Sequence, residues 1–315
     1  MLFDAARLNK VVNLIASPLQ NEFEVITSLQ LDLEKVKLLT IALNSRSLDA
    51  SLKASKVLKK AKITHAVFKG PAQQDVLYGS AFVKPSADAD ILVAPKDQER
   101  AFEALQSYGY HIDEPKAWWW RQFLNEVHLV SNDKAPLDLH HGLGQAGLPD
   151  VRNPEAFLDR TTQYMYRGDH IPILDKIDIC MLASYSLAKS FISQEPCLGT
   201  LFDFHTARSS LNAEEYDVLK SRSAAHKLSK ILSFGESLED AVFRKINSNK
   251  LPFKIETESL AGMAVTPWEE NLPWPKRRHI LRQFSDGTKI DLLCDATWAT
   301  FAHVTRIFLD RKRSS

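Results

Sequence analysis

The stretch KPSADADILVAP, Lys84 to Pro95, carries two aspartates, Asp88 and Asp90, that run directly into the apolar Ile91–Leu92–Val93. An aliphatic run stopped by a proline predicts a buried strand. Residues two apart on a strand point to the same face, so Asp88 and Asp90 are expected to be neighbours with Cα atoms about 6.5 Å apart. Two ionised carboxylates about 5 Å apart repel by about 3 kcal/mol at an effective dielectric near 20. Strand stability alone gives no reason for that pair. A divalent cation converts the repulsion into binding, and Mg²⁺ takes oxygen ligands that it commonly shares with substrate phosphates. The plainer reading is a solvated strand end, where Asp-x-Asp is frequent.

Around this stretch the chain divides by pattern. Residues 1–62 read as helical, with an apolar stripe at Leu31, Leu33, Val36, Leu38, Leu39, Ile41 and Leu43. Residues 63–150 change character. THAVFKG is a short β-rich run ending at Gly70, and Pro71 suits the first turn of a helix over PAQQDVLYGS. KDQERAFEALQSYGY reads as a helix closed by Gly109, and EVHLVS and PLDLHHG as two more strands. The order β-α-β-α-β-β gives an α/β or α+β unit. Residues 151–315 read as mostly helical after one extended stretch, YMYRGDHIPIL. Helices are expected over 175–193, 197–211, 213–222 and 224–247. The proline-rich 251–275 is expected to cross irregularly, and the last forty residues to return to helix.

Two further features bear on the aspartates. In PLDLHHG, Leu137 and Leu139 point one way and Asp138 the other. If this strand lies beside the first, three carboxylates converge, which is what two-metal phosphoryl or nucleotidyl transfer requires. At FKGPAQ, a helix starting near Pro71 offers backbone N–H groups and a positive dipole end to a phosphate, with Lys69 beside it and Lys84 four residues before Asp88. Taken singly, each lysine reads as an ordinary surface residue.

Composition sets outer bounds. Lys plus Arg is 40 against 39 for Asp plus Glu, a net charge of +1 that makes no electrostatic case for long nucleic acid or a membrane surface. Cys180, Cys197 and Cys294 are scattered with no CxxC spacing, which argues against a structural zinc site and fits a reducing compartment. No apolar run is long enough to span a bilayer, and the N-terminus reads as an amphipathic helix. A cytoplasmic protein is the expectation.

The series FKG…LYG…KPSADADILV…GY…VHLV…LDLHHGL resembles the DNA-polymerase-β-type nucleotidyltransferase superfamily and, more narrowly, the bacterial uncharacterised nucleotidyltransferase family. The match is close over 63–143 and weaker over 154–211, where DICMLASYSLAKSF and LGTLFDFHTARSS are similar to the family's helical segments. The resemblance implies a polymerase-β-like core flanked by N-terminal helices and a mostly helical C-terminal part. It implies Asp88, Asp90 and Asp138 as metal ligands and catalytic carboxylates, and Lys69, Gly70 and Lys84 as the nucleotide-binding residues. The implied reaction is transfer of a nucleoside monophosphate from a triphosphate, expected to be ATP, with Mg²⁺ or Mn²⁺, to a small-molecule, peptide or protein acceptor. His128 and His140 match family histidines; packed or hydrogen-bonded strand histidines are expected.

The chain departs from the pattern at Pro71, at Lys84 (an arginine in the family), at His141 (a tryptophan) and at Ser186 (a histidine). Proline removes a backbone donor, and lysine replaces a planar fork by a point charge. None of these deletes a metal ligand, so they bear on nucleotide choice and substrate fit. The alternative is a non-catalytic protein of the same fold, an antitoxin-like partner or a biosynthetic scaffold.

Elsewhere, Trp118, Trp119 and Trp120 in AWWWRQF cannot all face one core, so one is expected at a cleft or a protein-partner surface. His140 and His141 are adjacent on a strand and cannot readily serve one ion. Ser184 and Ser186 have no base at recognisable spacing, which argues against a hydrolase triad.

Overall fold

The computed structural model describes residues 2–19, 27–112, 117–244 and 255–311. Three helices come first: α1 (Leu2–Leu8), α2 (Val12–Leu19) and the long α3 (Thr27–Lys60). The central unit is β1 (His65–Phe68), α4 (Gly70–Tyr78), β2 (Ala89–Val93), α5 (Gln98–Ser107), β3 (His111–Ile112), α6 (Ala117–Phe123), β4 (Glu126–Val130) and β5 (Leu137–His140). There follow α7 (Glu155–Leu158), the hairpin β6 (Thr161–Tyr166) and β7 (Asp169–Leu174), and the helices α8 (Lys176–Ile192), α9 (Leu198–Ser209), α10 (Ala213–Ala225), α11 (Ser229–Phe243), α12 (Thr257–Val265), α13 (Arg277–Phe284) and α14 (Lys289–Arg311).

The strands form one mixed sheet in the order β3-β4-β5-β2-β1-β7-β6. β2 runs antiparallel to β1 and parallel to β5, while β4 runs antiparallel to β5. The extended stretch around residues 161–174 folds as a hairpin, and β7 continues the sheet by pairing in parallel with β1.

Strand alternation gives the sheet two buried faces. Val67, Ile91, Val93, Val127, Leu129, Leu137 and Leu139 pack with Leu48 and Leu58 of α3 and with Ala101 and Leu105 of α5. Ala66, Phe68 and Leu92 point the other way, into a larger core built on α8, α9 and α11. Asp90 and Asp138 share this second face. α8 is buried along most of its length; only Lys176, Ser186, Lys189 and Ser190 escape full burial. The last three fall at i, i+3 and i+4 and form one polar strip on an otherwise apolar helix.

Three regions differ from the pattern-based expectation. Residues 257–265 are helical, because Leu260, Met263 and Ala264 are buried against the α11 side of the core. The expected apolar stripe of α3 is only partly covered: Leu38 and Leu39 remain 66% and 55% exposed, and the buried face begins with the polar Thr40, Asn44 and Ser47 before reaching Leu48. Helix 224–247 starts later, at Ser229, after a turn at His226–Leu228. Its expected last residues, 245–247, lie outside the described residues, as do 251–254 and the basic tail 312–315.

Candidate active site

Register brings the carboxylates together. Asp90 of β2 lies directly opposite Asp138 of β5 in the parallel pair, and His128 of β4 lies opposite Asp138 on its other side. Two register positions along, Glu126 of β4 is opposite His140 of β5. Asp138 and His140 are two apart on one strand and share a face. One ligand atom each from Asp90, Asp138 and His140 falls within 4.8 Å of the others. Asp88 is outside that group. It sits just before β2, where its backbone carbonyl accepts a 2.5 Å hydrogen bond from Ser47 Oγ.

Both histidines engage these acids. His128 Nδ1 is 2.6 Å from Asp138 Oδ1, and His140 Nε2 is 3.0 Å from Asp90 Oδ1. His140 Nδ1 lies 3.6 Å from Glu126 Oε2. His141 turns to the opposite side, against Gln98 at 2.8 Å, as strand alternation requires. Burial pushes the Asp138 carboxyl above the usual range, and the Asp90 charge adds to it. Burial would also raise Asp90, but the Lys69 ammonium and the His140 hydrogen bond outweigh it and hold Asp90 low. The two acids of one pair are thereby split, one readily ionised and one proton-retaining.

The turn between β1 and α4 supplies the cations. Lys69 and Gly70 both adopt positive φ, 60° and 63°. Glycine takes this conformation freely and lysine at a cost, so the turn carries backbone strain at Lys69. The Lys69 N–H donates to Gln73 Oε1 at 2.9 Å. Its ammonium reaches Asp90 Oδ1 at 3.7 Å. Burial alone would lower the Lys69 amine, but Asp90, Glu126, Asp138 and Asp88 together raise it.

Lys84 is placed differently from a free phosphate ligand. Its ammonium pairs with Asp203 of α9 and donates to the Gly199 carbonyl at 3.1 Å. Tyr78 donates to the other Asp203 oxygen at 2.6 Å. Gln74 and Asn44 bind the Lys84 backbone, so the 84–86 loop is tied to α3 and α4.

Between α4, this loop, α8 and α9 lies a cleft of about 430 Å³, lined by Lys69, Gly70, Lys84, Ser86, Ser186 and Ser190 among others. Asn9 closes one side, with its side chain accepting from the Leu198 N–H and donating to the Val265 carbonyl. A second space of about 30 Å³, room for about one water, lies beside Glu126, His140 and Lys189. Burial and the neighbouring Lys69 lower the Lys189 amine.

The tryptophans separate by exposure. Trp119 is buried and donates to Thr305 of α14 at 3.0 Å, Trp118 is 51% exposed, and the Trp120 ring lies 6.2 Å from that of His128. Sequence reasoning did not single out Glu126 or Lys189. Glu126 had a usable signal, because it stands two residues before His128 on the same strand face.

A mixed sheet whose two central parallel strands carry facing aspartates beside a strand-to-helix glycine turn is the polymerase-β-like nucleotidyltransferase core. The chain matches the family model of the uncharacterised nucleotidyltransferases over residues 1–244 and belongs to that family. Among curated proteins none matches it. Solved structures similar to it include the antibiotic-resistance factor ANT(2'')-Ia, at 16% identity and TM-score 0.38, covering 57% of this chain and 94% of that one. The lincosamide antibiotic adenylyltransferase LnuA aligns at 19% identity and TM-score 0.31, over 50% of this chain and 92% of that one. An antigenic nucleotidyltransferase-like protein from Paracoccidioides brasiliensis aligns at 12% identity and TM-score 0.33, over 59% and 91%. Among the described residues no helix is long and apolar enough to cross a membrane.

Proposed function

We propose that the protein transfers a nucleoside monophosphate from a nucleoside triphosphate, with ATP as the expected donor, to a hydroxyl-bearing acceptor, in a divalent-metal-dependent reaction. The observation that carries this reading is the Asp90–Asp138 register pairing beside the Lys69–Gly70 turn. The donor set suits a hard divalent cation such as Mg²⁺ or Mn²⁺, because it is dominated by carboxylate oxygen. Asp88, Asp90 and Asp138 are the residues assigned to hold it. When bound, such an ion neutralises triphosphate charge and makes the acceptor hydroxyl more acidic.

The remaining roles belong to the chain's own groups. The N-terminus of α4 and the Lys69 ammonium take phosphate oxygens in the cleft. Lys84 contributes from the cleft wall, with its charge shared by Asp203. In the transfer, the acceptor oxygen bonds to the α-phosphorus, the bond to the bridging oxygen breaks, and pyrophosphate leaves. Asp138 takes the acceptor's proton as the general base. His128 orients that carboxylate. The acceptor approaches from the β4 side, along Trp120 and the exposed Trp118, which fits a small molecule, a peptide or a protein. The near-zero net charge disfavours a long nucleic acid.

Calorimetry of ATP, GTP, CTP and UTP with Mg²⁺, repeated with Asp90→Asn, tests the reading. Binding of one triphosphate that needs both Mg²⁺ and Asp90 is expected. Absence of binding by all four, or binding indifferent to Asp90→Asn, refutes it.

A further inference from the structure

His140 sits between two acids in a setting that carboxylates alone do not explain. Its side chain is 6% exposed. Phe68 packs edge-on against the ring, with centroids 4.9 Å apart and an interplanar angle of 73°, which restricts the imidazole plane. Nδ1 faces Glu126 Oε2 at 3.6 Å, and Nε2 faces Asp90 Oδ1 at 3.0 Å. The Nε2–Asp90 contact is a hydrogen bond in which the carboxylate accepts the Nε2 proton, whereas Nδ1 and Glu126 are beyond hydrogen-bond reach. One ligand atom each of His140, Asp90 and Asp138 lies within 4.8 Å of the others. An ion held by the two aspartates would take the place of the Nε2 proton, and the ring proton would then sit on Nδ1, on the Glu126 side. A metal-ligating histidine characteristically donates its other ring N–H to a carboxylate, which sets its tautomer and raises its basicity. Glu126, 12% exposed on its side chain, stands in that place. His128 does the equivalent for Asp138 from behind.

We propose that His140 is a nitrogen ligand of the metal site, held by Glu126, and that the site therefore prefers a first-row transition ion of the Mn²⁺ class to Mg²⁺. The inference rests on the metal-dependent reading above and adds to it the ligand set and the class of ion. Mg²⁺ is a hard ion that takes oxygen and keeps its waters, so an imidazole adds little for it. First-row transition ions accept nitrogen together with carboxylate oxygen. Asp138 and His140 lie on one strand face with Asp90 across the register, so one oxygen each from the two aspartates and Nε2 of His140 define three corners of a coordination shell without moving the backbone.

The test uses the full-length protein loaded with Mn²⁺. Pulsed electron paramagnetic resonance of the bound ion is expected to show coupling to a ¹⁴N nucleus in the wild type, and that coupling is expected to vanish in His140→Gln. By competition, the wild type is expected to bind Mn²⁺ at least about tenfold more tightly than Mg²⁺. Glu126→Gln is expected to weaken Mn²⁺ by about 10- to 100-fold, as loss of such a supporting carboxylate typically does, and to leave Mg²⁺ within about threefold. Bound Mn²⁺ without nitrogen coupling in the wild type overturns the inference whether or not any variant folds. Equal weakening of both ions by Glu126→Gln also overturns it. A wild type that binds triphosphate with Mg²⁺ but shows no nitrogen coupling refutes this inference alone; a wild type that binds neither ion refutes both.

Discussion

The buried pair of Lys84 and Asp203 fastens the loop before β2 to helix α9, and removing one member has a calculable cost. Their side chains are 11% and 18% exposed. Asp203→Ala leaves the Lys84 ammonium with the Gly199 carbonyl as its remaining acceptor and leaves the Tyr78 hydroxyl without its acceptor. Breaking a buried ion pair from one side costs about 3–5 kcal/mol, because a desolvated charge is stranded. The lower end applies here, since one acceptor survives. About 3 kcal/mol, set against an unfolding entropy of about 2.1 cal/mol/K per residue over 315 residues, lowers Tm by about 4–5 °C. Differential scanning calorimetry of Asp203→Ala reads this directly. The double variant Lys84→Met/Asp203→Leu removes both charges and is expected to recover most of the loss, because apolar replacement of a buried pair is often neutral. A single variant within about 1 °C of wild type, or a double variant less stable than the single one, refutes the reasoning.

Further outcomes are expected. Trp119→Ala removes a buried ring and its hydrogen bond to Thr305, costs about 3 kcal/mol, and should make α14 susceptible to limited proteolysis; an unchanged cleavage pattern argues against α6 anchoring it. Gly70→Ala meets Ser86 Oγ only at an ordinary 3.4 Å but must keep φ near +63°, so about 1–2 kcal/mol of backbone strain is expected, seen as weaker triphosphate binding by calorimetry. His141 is pushed down to about 4 by burial, by Arg121 and by His140. The unfolded chain therefore takes up the proton first, and stability present above pH 6.5 is lost as pH falls from 6.5 toward 4. His141→Gln should flatten that part of the Tm–pH profile, and an identical profile counts against the assignment. Asp138 is held above the ordinary carboxylate range, so metal binding must expel its proton. Apparent Mg²⁺ affinity should rise with pH beyond the usual carboxylate titration, and a flat dependence would count against Asp138 as a ligand.

Some of this was decided within single segments of chain. The aliphatic run Ile91–Val93 stopped by Pro95 specifies a strand, and alternation at Leu137, Asp138 and Leu139 specifies which side the acid takes, because side-chain direction on a strand depends only on the residue's own position. The helix after Gly70 follows in the same way, since glycine supplies the positive φ and proline the first helical turn. The opposite orientation of His140 and His141, and the impossibility of burying all three tryptophans, were likewise legible without neighbours.

What lies across from each residue was not. Asp90 meets Asp138 only because β5 adds to β2 in parallel at one register, and a one-residue slip would turn Asp138 to the apolar face. Glu126 stands behind His140 for the same reason, and no spacing along the chain relates residue 126 to residue 140 in that way. Lys84 illustrates the limit most sharply. Beside the aspartates in sequence, it reads as a phosphate ligand. In the fold its ammonium meets Asp203, 119 positions later, because α9 packs against α4 and the attraction of two desolvated charges at contact exceeds any preference encoded in the lysine's own neighbourhood. Local sequence determined which groups are present and which way each strand presents them; tertiary packing decided which of them share a cavity, because register and helix docking are set by the burial of many apolar side chains at once, not by the polar residues that the packing brings together.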